Sequence, residues 1–92
     1  MARIMVTQVS KGEPATYRVV VEDAEGSTTH EVTMAQAIAK RLGGDGDGRA
    51  IVDASFRFLL DREPKESILR RFDVSVIPRY FPDYEDRLRD YL

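Results

Sequence analysis

Between Val32 and Gln36 the hydrophobic period changes from two residues to nearly four, and no other feature constrains the fold as strongly. Alternation upstream suits pleated strands, whose successive side chains point to opposite faces. Recurrence every three or four residues downstream suits helices, whose i and i+4 positions share a face. Strands grouped ahead of helices, and not alternating with them, specify an α+β architecture. The expectation is a three-stranded antiparallel meander followed by four to five helices packed on the sheet. With 92 residues the chain has enough material for one modest core, so residues 1–92 form a single domain.

Within the first third, Ile4 and Val6 fall on one face of a strand over Arg3–Val9, with Arg3, Met5, Thr7 and Val9 on the other. Thr16–Asp23 is the clearest strand: Tyr17, Val19 and Val21 alternate with Arg18, Val20 and Glu22, and β-branched side chains suit a pleated surface. Ala24-Glu25-Gly26-Ser27 reads as a hairpin turn in which Gly26 supplies any positive φ, and the return strand covers Ser27–Val32.

Thr33 followed three residues later by Gln36 has the form of a capping box, opening a helix with Met34, Ile38 and Leu42 on one face and Gly43-Gly44 at its end. Arg49–Arg62 carries the strongest helical pattern. Ile51, Val52, Ser55, Phe56, Phe58, Leu59 and Leu60 sweep an arc of about 200°, wide enough for the spine of the core. Asp53, Arg57 and Asp61 form a solvated i,i+4 ladder opposite. Pro64 suits the first position of a third helix that buries Ile68, Leu69 and Phe72 and pairs Glu66 with Arg70. Val74–Phe81 reads as a short helix capped by Ser75 in preference to a strand, with Pro78 in its first turn. Asp83 caps a last helix whose face holds Tyr84, Leu88, Tyr91 and Leu92.

Composition removes several function classes. The formal net charge of −2 gives no bulk attraction for nucleic acid or anionic membrane. The chain has no cysteine, hence no disulfide framework, thiolate nucleophile or zinc ribbon, and a single histidine, His30, offers no histidine pair for a metal. No apolar stretch approaches the ~20 residues of a membrane span. Residues 1–10 alternate where a secretory signal would be continuously apolar, which makes the cytoplasm the expected location.

The loop over residues 43–50 imitates two ligand motifs and completes neither. Gly43 and Gly48 have the spacing of a phosphate-cradling loop, but Arg49 and Ala50 stand where lysine and a hydroxyl residue are needed. Asp45 and Asp47 before Gly48 imitate part of a calcium loop, but Gly43 and Ala54 stand at the positions of the first and twelfth ligands. His30 shares a strand face with Thr28 and Val32 and has no nucleophile or oriented acid beside it, so it reads as a half-buried structural histidine. No serine lies in a Gly-x-Ser-x-Gly elbow. The sequence therefore assigns no catalytic, cofactor or metal residue, and an enzyme is the least supported class.

Two surfaces remain. Residues 78–84, Pro-Arg-Tyr-Phe-Pro-Asp-Tyr, concentrate aromatic and arginine side chains between prolines. Tyrosine and arginine are favoured at interface hot spots, and prolines pre-organise such a segment. This makes Arg79, Tyr80 and Tyr84 candidate contacts for another protein, against the plainer reading that Phe81 and Tyr84 close the core. The alternative is nucleic acid: Ile68–Ile77 resembles the centre of a helix-turn-helix, with Val74 plugging inward and Arg70 and Arg71 as contacts. Pro82, by restricting Phe81, would hold its reading helix to about six residues, and Pro78 stiffens that helix near its start.

The run from Phe56 to Pro64, continued by Phe72-Asp73-Val74-Ser75-Val76-Ile77 and Tyr80-Phe81-Pro82, resembles a family of small bacterial proteins of unknown function. The resemblance covers the C-terminal third to half of the chain. It implies a bacterial source and transfers no activity and no site residue.

Overall fold

The computed structural model describes residues 2–43 and 47–92. Three antiparallel strands, β1 (Arg3–Ser10), β2 (Ala15–Asp23) and β3 (Gly26–Met34), form the expected meander. The chain then runs through α1 (Gln36–Gly43) and α2 (Gly48–Leu60) and returns as a short strand, β4 (Arg71–Asp73), parallel to β3. The sheet is thus mixed and four-stranded, in the order β1-β2-β3-β4. Two short helices follow, α3 (Ile77–Tyr80) and α4 (Tyr84–Leu88), with 3₁₀ turns at Lys65–Ser67, Val74–Val76 and Arg89–Tyr91.

Register explains the layering. Val6 pairs with Val19 and Val19 with His30, so directly opposed residues place Val6, Val19 and His30 on one face, and Ile4, Val21 and Thr28 in the next row of that face. Helix α2 lies against this inner face. Its Ile51, Val52, Ala54, Phe56, Phe58 and Leu59 join Tyr17, Val19, Val21, Val32 and Met34 in the buried cluster. The outer face carries Arg3, Met5, Arg18, Glu22, Thr29 and Glu31, all exposed. The hairpin turn has Gly26 at φ +130°, where side chains other than glycine's are strained. At the start of α2, Gly48 meets the Tyr17 ring so closely that a Cβ there would fall 2.0 Å from the Tyr17 hydroxyl.

Several local expectations are corrected. Strand β3 runs two residues further than the sequence implied, so Met34 is a buried strand residue and Thr33 is no helix cap. The Thr33 hydroxyl donates to Asp73 Oδ1 at 2.5 Å, and the first N–H of α1, at Gln36, is met by the Glu13 carboxylate at 3.0 Å. After Pro64 there is one 3₁₀ turn and then extended chain in place of a helix. Ile68 is buried, Leu69 is exposed, and Phe72 belongs to β4. Glu66 pairs with Lys65 at 2.6 Å in place of Arg70. The short helix after Val74 is present as a 3₁₀ turn leading into α3, but its cap is Asp73, which accepts from Ser75 N–H at 3.0 Å. Asp83 makes no side-chain cap and reaches Arg62 at 3.1 Å. Leu92 is exposed. Asp47 caps α2, whereas Gly44, Asp45 and Gly46 lie outside the described residues.

Candidate functional site

The turn at Lys65–Ser67 fixes the path from α2 to β4. Lys65 is 3% exposed, and its ammonium lies 2.8 Å from Asp23 Oδ1 and 2.6 Å from Glu66 Oε2. Hydrogen bonds to Asp23 and Glu66 hold the Lys65 pKa above its ordinary value and bring both carboxyls below theirs. The β2–β3 hairpin is thereby tied to the connection leading into β4.

Beyond that tie the chain is extended. His30, 1% exposed on the inner sheet face, has Nδ1 2.8 Å from Leu69 O and Nε2 2.8 Å from Thr28 Oγ1. The carbonyl can only accept, so Nδ1 carries the proton, and Nε2 accepts from the Thr28 hydroxyl. Burial favours the neutral imidazole. Burial lowers its pKa, and the nearby Arg70 charge acts in the same direction. The sequence reading of half-burial is therefore corrected to full burial, with both ring nitrogens satisfied and no free base offered.

These anchors leave a groove between the C-terminal end of α2, the Ser67–Leu69 segment, β4 and α3. Its volume is about 200 Å³. Leu59, Ile68 and Ile77, all buried, form its floor, and Phe72 and Phe81, half-buried, its walls. Leu69 and Tyr80 stand at its margin, 50% and 67% exposed. One carboxylate, Glu63, also lines the groove, and desolvation raises its pKa.

The residues singled out from sequence separate here. Arg79 and Tyr80 are exposed on α3. Tyr84 is corrected: it is 1% exposed, beneath the surface, with its hydroxyl 2.6 Å from Ser55 Oγ. Ser55 Oγ donates to Ile51 O at 2.7 Å, so the phenol donates to Ser55. Burial pushes the Tyr84 phenol up to about 12. A side chain enclosed in this way makes no contact with a partner.

The helix-turn-helix corner is likewise corrected, since its first helix is replaced by β4 and the extended chain before it. Arg70 and Arg71 instead line a hollow that also includes Arg18 and Glu31. Glu31 Oε2 lies 3.5 Å from Arg71 Nε and offsets part of the positive charge. Among the described residues, no three His, Asp or Glu side chains converge as a metal-ligand set, and no helix is long and apolar enough to cross a membrane.

The sequence does not mark Leu69 and Glu63 as site residues. Helical spacing assigns Leu69 to a buried face, and Glu63 stands among several acidic residues with nothing to distinguish it. Comparison with family models, with curated proteins and with solved structures found no match.

Proposed function

We propose that this chain is a protein-interaction domain that docks a partner in the groove between α2 and α3, with Arg79, Tyr80 and Leu69 as its exposed contacts. The observation that carries this reading is the pairing of Leu69 and Tyr80 at the margin of an apolar hollow. Isolated apolar side chains on a surface are ordinary, but two large ones flanking a concave apolar floor have the form of an anchor site. The hollow is smaller than the roughly 300–1,000 Å³ usual for small-molecule pockets, which favours an inserted side chain over a whole cofactor. Lys65 and His30 hold the approach to Leu69 from two sides, limiting the ordering cost of binding.

Site-specific photo-crosslinking in the source cell tests the reading. A photoreactive phenylalanine analogue at Tyr80 should yield a discrete adduct with one dominant protein, while the same analogue at Met5, on the open sheet face, should not. Equal adducts from both positions, or none from position 80, would count against docking at the groove.

A further inference from the structure

The groove has an apolar floor and one carboxylate, and the two features together specify what fits it. Glu63 follows the last turn of α2, with its N–H on Leu59 O at 2.9 Å. The basic side chains on either side of it are committed elsewhere. Arg62 lies with its guanidinium carbon 3.7 Å over the Phe58 ring, donating to Phe58 O at 3.2 Å and to Asp83 at 3.1 Å. Lys65 is held between Asp23 and Glu66. Among the described residues no cation pairs with Glu63, which is half-buried against Leu59, Ile68 and the rest of the apolar lining.

A carboxylate in such a place has lost water without gaining a partner. A cation brought by a ligand restores the missing interaction in a setting less screened than open water, and a ligand carboxylate there is repelled. Resting on the docking reading above, we propose that the occupant of the groove is a peptide segment in which a large apolar side chain fills the hollow and a neighbouring lysine or arginine reaches Glu63. The apolar contact supplies affinity and the ion pair selects among apolar segments, since an acidic or uncharged neighbour leaves Glu63 unpaired.

The test selects binders from a random dodecapeptide phage library on the intact protein and measures a chosen peptide by titration calorimetry. The expected binders carry lysine or arginine within a few residues of a large apolar residue. Replacing that basic residue by norleucine or citrulline should weaken binding at least tenfold on the wild type and far less on Glu63→Gln. Glu22→Gln, on the outer sheet face, should retain the full difference. Affinity for the basic peptide should also fall as the pH is lowered through the raised titration range of Glu63, in the wild type and not in Glu63→Gln.

Binders that lack a basic residue, or an equal loss on the wild type and on Glu63→Gln, overturn the charge selection. If those binders are still weakened by Leu69→Ala and Tyr80→Ala, the docking reading survives. Binders indifferent to Leu69→Ala and Tyr80→Ala, or a library that yields none, overturn both.

Discussion

His30 Nδ1 lies 2.8 Å from the carbonyl oxygen of Leu69, a residue 39 positions later, so a buried ring on β3 sets the backbone on which the groove's exposed leucine stands. The ring is packed edge-on against Phe56 at 5.2 Å, which fixes its position from the helix side.

His30→Ala should therefore lower stability by about 2 to 4 kcal/mol, combining a cavity with the loss of the donor to the part-buried Leu69 carbonyl. The wild type should also lose stability as pH falls below about 6.5, where a free histidine takes up its proton. Burial depresses the folded-state pKa of His30, so across that window the unfolded chain binds more protons than the native state and acid favours unfolding. Urea titrations from pH 7.5 to 5 should show a steeper decline for the wild type than for His30→Ala. Parallel declines would remove His30 from the acid response.

Tyr84 and Ser55 should respond unequally to loss of their hydroxyls. In Tyr84→Phe, Ser55 keeps its bond to Ile51 O, so the cost should be about 1 kcal/mol. Ser55→Ala leaves the buried phenol without an acceptor and should cost about 1 to 3 kcal/mol, partly offset by the better helix propensity of alanine. Denaturant midpoints of both variants provide the check, and a larger loss in Tyr84→Phe would contradict the donor order derived from the geometry.

Phe58→Ala should bring the domain close to unfolding. Phe58 is fully buried, meets Tyr84, Phe81 and Tyr91 edge-on at 5.3, 5.8 and 6.0 Å, and supports the Arg62 guanidinium. Removing a core phenylalanine costs about 3 to 5 kcal/mol, a large part of the ~5–15 kcal/mol that holds a domain of this size together. A melting temperature within a few degrees of wild type would show that the cluster around it collapses without loss.

The double replacement Arg79→Ala and Tyr80→Ala should leave stability within about 1 kcal/mol, because both side chains are exposed. It should abolish the adduct from a photoreactive group placed at the neighbouring Leu69. Phe81→Ala, which removes a half-buried ring packed on Phe58, should lower stability measurably and serves as the contrasting variant. A stable double variant that still forms the same adduct would exclude α3 from docking.

Gly48→Ala should destabilise the domain despite the usual preference of helices for alanine. Its Cβ would meet the Tyr17 hydroxyl at 2.0 Å, and Tyr17 is itself held in the core. Thermal unfolding gives the sign, and a rise in melting temperature would mean that the ring moves aside freely.

Elements whose signal is local are legible in the order of residues alone. Alternation through β1, β2 and the first part of β3 gave the faces, because side-chain direction in a strand follows from backbone geometry alone. The broad apolar arc of α2 identified the spine of the core, since only a helix buried on most of its circumference tolerates it. Tertiary structure decided β4, where Arg71-Phe72-Asp73 becomes a strand because β3 offers an unpaired edge beside it, with Glu31 N–H bonded to Arg70 O at 2.8 Å. That pairing partner lies some 40 residues away, and a three-residue strand carries no period of its own. Once β4 forms, Leu69 turns outward, Thr33 binds Asp73 and not its own helix, and the groove opens between α2 and α3. Tyr84 shows the same limit: its amphipathic chemistry suits a core or an interface equally, and the position of Ser55 across the packed helices decided for the core.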